Sequence, residues 1–417
     1  MAQLSDDCFA FGGALLGVDE ALALIAERVV AVVGEETAPL AEALGRILAH
    51  DLVAERDVPP HPNSAVDGYA IAHADLAADR DTVLPVTGRA AAGHPLGRAM
   101  ARGEAIRIFT GAPMPEGADT VMMQEDCRFA DGKVTLTPGI RPGANRRRAG
   151  EDVAAGEVAL AAGRRLKPAD LGLAAALGRD RLAVRSRLRV ALLSTGDEVR
   201  EPGAPLPPGA IYDANRVMLA SLLRRLDCRV SDLGICADRE AGLVDRLAEA
   251  AAAHDLIVTS GGVSTGEEDH VRSAIERLGR LDFWRLAIKP GRPVALGQVK
   301  GVPLLGLPGN PVAAALTFAI VGRPLILHLA GAADGPPATF RVRAGFAYKK
   351  RKGRREYVRA TLQRDGDGVI AHKYPKDGAG ILSSIVHTQG FAIVPETVER
   401  LAPGDAVEFL PYAEILG

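Results

Sequence analysis

Three glycine-bearing loops carry the residues whose types and spacing allow chemistry: STGDE at 194–198, TSGGVSTGEED at 259–269 and GLPGNP at 306–311. Each follows an apolar run. Glycine lets backbone N–H groups approach a ligand closely, and a helix N-terminus adds partial positive charge, so such loops suit an oxyanion or a phosphate. The contact residues they offer are Thr195, Gly196, Ser260, Gly261, Gly262, Ser264, Gly309 and Asn310. The first two loops also hold carboxylates: Asp197 and Glu198, then Glu267, Glu268 and Asp269. A hard cation such as Mg²⁺ takes one or two carboxylates plus substrate phosphate oxygens, so acids beside an anion loop point to metal-plus-phosphate chemistry. Further on, AIKPGRPVALG (287–297) sets Lys289 and Arg292 on a stiff Pro/Gly turn, where two cations can clamp a phosphate or oxyanion.

Each feature also has a plain structural use. A Gly/Ser/Thr loop makes a tight βα turn, and Glu267 and Glu268 suit the first turn of a helix. Asp197 and Glu198 fit that use less readily, because REPGAPLPPG follows them rather than a helix. The KPGRP segment also reads as a solvated β-turn. Three such loops on one sheet edge favour a site.

The elements that must position these loops alternate between strand and helix over 188–329. LRVALLS, RVSDLGI, DLIVTS and PLLGL read as strands, while NRVMLASLLRRL, EAGLVDRLAEAAAA and EDHVRSAIERL read as helices. That rhythm predicts βαβ units around a parallel sheet, where ligands bind outside the carboxyl ends of the strands. The apolar run VAAALTFAIV (312–321) is expected to stop at Gly322, Arg323 and Pro324, short of the ~20 residues of a membrane span. Elsewhere, DEALALIAERVVAVV (19–33) has helical spacing with Asp19 available as N-cap. Short β-like runs between Gly/Pro turns mark a small β module at about 83–137 and another at 340–417.

The bulk composition agrees with a globular, multi-domain chain. Its 417 residues exceed one ordinary domain, and 47% hydrophobic content supports real cores. With 50 basic and 52 acidic side chains the net charge is −2, which argues against a dedicated nucleic-acid binder; 4% aromatic content argues against base-stacking platforms. The basic runs RRR (146–148) and KKRKGRR (349–355) read as solvated surface. Cys8, Cys127, Cys228 and Cys236 show no CxxC spacing and read as thiols in a reducing compartment. The nine histidines form no HxH or HExxH, which argues against zinc. The N-terminus lacks the basic region of a signal peptide, so a cytoplasmic location without membrane attachment is expected.

The longer motifs resemble the MoeA family. DVPPHPNSAVDGYAI (57–71), RIFTGAPMPEGADTVMMQED (107–126), RRAGEDV (147–153), STGDEV (194–199), IYDANRVML (211–219), TSGGVSTGEEDHV (259–271), FWRLAIKPGRPVALG (283–297) and GLPGNPVAA (306–314) run in that family's order across nearly the whole chain. Members are molybdopterin molybdenumtransferases, related to the E domain of animal gephyrin and its plant counterpart. The resemblance implies insertion of molybdate into adenylylated molybdopterin with release of AMP, dependent on Mg²⁺, as the last common step of molybdenum cofactor synthesis. It also implies an α/β multi-domain fold: a linking domain (1–55 with 151–185), a small mainly-β domain (56–150), a molybdopterin-binding-like α/β domain (186–332) and a C-terminal β domain (333–417).

By motif, the resemblance marks Asp67, Thr110, Glu198, Asp238, Asp269 and Lys289 as functional positions. It puts Asp269 and Glu198 at Mg²⁺ and the nucleotide, and Lys289 with Arg292 near molybdate. It further implies a homodimer whose active site is shared between subunits, and dealings with molybdopterin-synthesis or insertion proteins. Many members carry KPGKP and a serine after GNPV, where this chain has KPGRP and Ala313. Two other readings are compatible with the motifs. A molybdopterin adenylyltransferase needs only one domain of the 188–329 type, whereas this chain adds more. A gephyrin-like scaffold without turnover need not keep Asp67, Glu198, Asp269 and Lys289.

Overall fold

The computed structural model describes residues 15–236, 240–261, 270–291, 293–366 and 368–416. The chain forms two compact units, one of Met1–Ala49, Ala162–Leu166 and Leu182–Gly417, the other of His50–Ala161 and Lys167–Arg181. In the larger unit, helix α1 (Val18–Arg28) buries Val18, Ala21 and Ile25. It is shorter than its spacing predicts. At Val29 the backbone turns extended (φ −95, ψ 122), as suits the β-branched run that follows. The N-cap is Gly17, not Asp19; the Asp19 carboxylate instead takes both terminal nitrogens of Arg355 at 3.0 and 2.8 Å.

The smaller unit is built on six strands: β1 (Gly68–Ile71), β2 (Thr82–Ala90), β3 (Ala105–Ile108), β4 (Thr120–Met123), β5 (Cys127–Ala130) and β6 (Lys133–Leu136). Their order is β4-β1-β3-β2-β6-β5, with β2 and β3 parallel and the other pairs antiparallel. Alternate residues serve opposite faces. Ala70, Ile106, Ile108 and Val121 fill one cluster, and Tyr69, Ile71, Ala105 and Met122 the other. Gly68 is forced by this packing, because a Cβ there would lie 1.9 Å from the Met122 carbonyl oxygen. Helix α2 (Pro168–Ala176) belongs to the same unit.

In the larger unit, β7 (Arg189–Thr195), α3 (Ala214–Arg225), β8 (Arg229–Cys236), α4 (Glu240–Ala253), β9 (Leu256–Ser260), α5 (His270–Leu278), β10 (Gly279–Arg285), β11 (Pro293–Val299) and β12 (Val302–Leu307) make an α/β layer. The sheet order is β8-β7-β9-β12-β11-β10. The four strands expected from the sequence are mutually parallel. An antiparallel pair, β11 and β10, extends the sheet beyond them; their Pro and Gly content reads as turns in sequence. Both faces are covered. Val190, Leu192, Val258 and Leu305 join one core with α1 and α3. Ala191, Leu193, Ile257 and Leu304 join a second with α4 and α5.

Residues Pro311–Leu329 form one continuous helix, α6, so the stop expected at 322–324 does not occur. A π-helical turn over Phe318–Gly322 joins two α-helical segments, and Pro324 sits in the first turn of the second, where its missing N–H costs little. By length and composition α6 is apolar enough to cross a membrane, but 83% of its most apolar 18-residue stretch is buried inside the protein.

After α6 come β13 (Phe340–Ala344), β14 (Arg355–Asp365), β15 (Gly368–Lys373), β16 (Gly390–Val394) and β17 (Ala406–Pro411). They pair in the ring β14-β15-β13-β17-β16-β14, a closed five-stranded barrel. Closure removes the free strand edges. The short strand Ile288–Lys289 runs parallel to β14, with Lys289 opposite Glu356, and so brings the KPG turn to the barrel.

Candidate functional site

The parallel register sets the carboxyl ends of β7, β8, β9 and β12 on one edge: Thr195 opposite Cys236, Ser194 opposite Ser260, Ser260 opposite Leu307. Ser194, Thr195, Thr259 and Ser260 are all buried there. The hydroxyls of Ser194, Thr195 and Thr259 have no hydrogen-bond partner among the described residues. A buried polar group left unpaired costs about 1–3 kcal/mol, a cost that a polar partner at this sheet edge would recover.

Glycines shape this edge. Gly261 has φ +83; a Cβ there would lie 2.7 Å from the Thr195 carbonyl oxygen, and its N–H donates to Leu307 O at 3.1 Å. Gly309 has open space where a Cβ would stand. Asn215, at the start of α3, donates through Nδ2 to Ser260 Oγ (3.0 Å) and to Gly309 O (2.7 Å). One buried amide thus ties the 259–261 and 306–310 loops together. The sequence reading missed Asn215 as a site residue; its only signal was its place inside IYDANRVML, two residues after the helix cap Asp213.

Glu198 lies on the loop after β7. Gly196, at φ +137, has no room for a Cβ, which would meet Glu198 Oε2 at 2.7 Å. The carboxylate thus lies against the Gly196 backbone just beyond the end of β7. The loop is anchored from below by Arg216. That buried guanidinium pairs with Glu201 of the loop, with Asp213 at 2.9 Å and with Asp232 of β8. Among the described residues no three His, Cys, Asp or Glu side chains converge as a ready-made metal cage. The exposed Glu198 carboxylate is one oxygen donor of the kind that Mg²⁺ takes together with waters and substrate oxygens.

Lys289 lies at a cavity of about 300 Å³, lined also by Gly291, Tyr348, Arg359, Lys373 and Asp377. Its Nζ is 3.2 Å from Oε2 of the buried Glu356, which also accepts from the Tyr348 hydroxyl at 2.7 Å. Burial first, and then that hydrogen bond, pushes the Tyr348 hydroxyl well above the usual phenol range, so it stays a donor. The Lys289 and Lys373 ammonium groups stand 5.9 and 5.4 Å from the Tyr348 ring centre. Arg359 donates to Gly378 O (2.7 Å) and Ser384 Oγ (3.1 Å). Three cations against Glu356 and Asp377 leave the cavity net positive. Its rim joins the sheet edge through α6, since Val312 N donates to Ala379 O at 2.9 Å.

In the smaller unit, Asp67 and Thr110 meet directly. Both the N–H and the hydroxyl of Thr110 donate to Asp67 Oδ1 at 2.8 Å. The backbone bond first, then the hydroxyl, holds the carboxyl below its ordinary range. Arg107 stacks over the rings of Tyr69 (5.1 Å) and Phe109 (4.7 Å), and Arg89 over Phe109 (4.6 Å).

Of the residues singled out in sequence, Thr195, Gly196, Glu198, Ser260, Gly261, Gly309 and Asn310 lie in the loops at the sheet edge. Lys289 belongs to the neighbouring cavity. Gly262, Ser264, Asp269, Asp238 and Arg292 lie outside the described residues.

Comparison with known proteins covers nearly the whole chain. Family models match residues 16–178 as the MoeA N-terminal region (domain I and II), 191–328 as a probable molybdopterin binding domain, and 341–412 as the MoeA C-terminal region (domain IV). The chain is 37% identical to the molybdopterin molybdenumtransferase of Haemophilus influenzae over 406 residues, covering 97% of this chain and all of that one. It is 36% identical to molybdopterin molybdenumtransferase 2 of Mycobacterium tuberculosis, over 89% of this chain and 94% of that one. Among solved structures, a molybdopterin biosynthesis moeA protein from Pyrococcus horikoshii OT3 superposes with a TM-score of 0.81 at 29% identity, covering 95% of this chain and 100% of the other. The three family regions in their order, and relatives matched over nearly their whole length, place this chain in the MoeA family.

Proposed function

We infer that this chain is a molybdopterin molybdenumtransferase acting in molybdenum cofactor biosynthesis. The observation that carries this reading is the pairing of two sites joined through α6: a sheet edge with unpaired buried hydroxyls, and a cavity with Lys289, Arg359 and Lys373. The first suits a phosphate-bearing pterin. The second suits a tetrahedral dianion such as molybdate, the cargo to be transferred.

The finer reading is that the pterin arrives adenylylated and that AMP leaves as molybdate enters the dithiolene. Glu198 and Asp269 would hold Mg²⁺, which neutralises charge developing on phosphate oxygens. Hydroxyls and backbone N–H groups at the edge, with Asn215 fixing the loops, would orient the pterin phosphate. Lys289 and Arg292 would attract the oxyanion. The chain would work as a homodimer, with Asp67 and Thr110 of one subunit completing the site of the other. A four-domain division at about 55, 150, 185 and 332 accompanies this reading.

Incubation with adenylylated molybdopterin, Mg²⁺ and molybdate tests it. AMP release that needs all three is the expected result. Consumption of ATP with plain molybdopterin would instead mark an adenylyltransferase, and no turnover with either would mark a scaffold.

A further inference from the structure

Helix α6 meets the Lys289–Pro290–Gly291 turn at two positions one helical turn apart, Ala313 and Thr317. Gly291 has φ +89, and a Cβ there would lie 2.8 Å from Thr317 Oγ1, 3.3 Å from Ala313 Cβ and 3.3 Å from Ala313 O. Thr317 is 0% exposed, and its hydroxyl has no hydrogen-bond partner among the described residues. A threonine inside a helix commonly turns its hydroxyl to the carbonyl four residues back, here Ala313, and this one does not. Valine would fill the same volume without burying an unpaired hydroxyl. What the oxygen allows and a methyl does not is close approach: backbone can sit several tenths of an ångström nearer to a hydroxyl oxygen than to a carbon. The helix widens into its π turn at the next residue, Phe318, a feature often found at functional sites.

We propose that Thr317 is the positioning residue of the oxyanion cavity. Its hydroxyl sets how closely the Lys289–Pro290–Gly291 turn rests on α6, and so where the Lys289 ammonium stands beside Arg359 and Lys373. Ala313 forms the apolar half of the same contact with Gly291. The inference rests on the reading of that cavity as the molybdate pocket, and it concerns the half-saturation for molybdate, not the chemistry on the pterin.

Three variants of the full-length protein test it: Thr317→Val, Thr317→Ser and Lys289→Ala. AMP release is measured against molybdate at saturating adenylylated pterin, and against pterin at saturating molybdate. Equilibrium dialysis with molybdate alone gives a second readout. Thr317→Val is expected to raise the molybdate half-saturation about tenfold, the effect of one misplaced charged contact, with the pterin half-saturation unchanged. Thr317→Ser, which keeps the oxygen, is expected to behave like the parent. If Lys289→Ala weakens molybdate but Thr317→Val does not, or if Thr317→Val shifts both substrates equally, Thr317 has only a packing role and the inference fails. If Lys289→Ala leaves molybdate untouched, the reading of the cavity fails, and the inference with it. Should Thr317→Val not fold, Thr317→Ala compared with Thr317→Ser decides the same point.

Discussion

Thr110 binds one oxygen of Asp67 twice, through its backbone N–H and its hydroxyl, across 43 residues of sequence. The two motifs SAVDGYA and IFTGAP are therefore one structural feature. The carboxylate is fixed in direction and kept ionised. Thr110→Ala removes the hydroxyl but leaves the N–H, so it is expected to lower AMP release about tenfold, as for one lost hydrogen bond to a charged group. Asp67→Ala removes the group itself and is expected to do more damage. A Thr110 variant as impaired as the Asp67 variant would show that Thr110 has a contact of its own.

At the sheet edge, Glu198 is exposed and its carboxylate lies against Gly196. Glu198→Gln and Asp269→Asn keep shape and remove charge. Each is expected to cut AMP release about 10²-fold or more, the scale for losing one preorganised electrostatic group, and to raise the Mg²⁺ needed. Chelation of Mg²⁺ should abolish release in the parent. Turnover that ignores both substitutions and the chelator would remove the metal from the reading.

A pH effect is built into the smaller unit. Arg98 first, then the Thr87 hydroxyl and the Ala101 N–H, hold the Glu104 carboxyl down at about 2. A folded pKa below the ordinary 4.5 means that the unfolded chain binds more protons between those values. The contribution is thus complete above about pH 4.5 and fades as pH falls towards 2. Acid unfolding of the parent and of Glu104→Gln, followed by circular dichroism, should differ at neutral pH and converge only as pH falls to about 2. A constant gap down to pH 2 would mean that Glu104 acts by packing rather than by charge.

Much of the fold and part of the site could be read from sequence because they depend on local pattern. The alternation of apolar strands and amphipathic helices between 188 and 329 identifies the four parallel strands, and the glycine loops after them lie together at one edge of that sheet. The antiparallel pair β10 and β11 was missed, because Gly279, Pro293 and Gly297 read as turns while the pairing that tolerates them is non-local. The continuation of α6 through Pro324 was missed for a related reason: the π turn that absorbs the proline has no sequence signature. The Lys289 cavity shows the limit most clearly. Its partners Glu356, Arg359 and Lys373 lie on barrel strands tens of residues away, and only barrel closure brings them to the KPG turn. Asn215 was invisible in another way, since an amide at a helix start reads as ordinary capping until its two loop partners are known.

Asp67 and Thr110 belong to the smaller unit, whereas Glu198 and Lys289 belong to the larger. A sheet edge leaves one side of a ligand open, and metal-assisted phosphoryl chemistry benefits from a shaped, water-poor cavity. A two-fold dimer closes that side twice with one pair of surfaces. Mixing an Asp67→Ala chain with an Asp269→Ala chain separates the two arrangements. With shared sites, each mixed dimer holds one site carrying both lesions and one carrying neither, so activity should return to about half of the parent's per mixed dimer by that symmetry. With each chain building its own site, every site keeps one lesion and mixing restores nothing. Refolding the two variants together, against each variant refolded alone, controls for exchange, and sedimentation confirms that mixed dimers have formed. No recovery in a verified mixed dimer would place the whole site within one chain and end the shared-site reading.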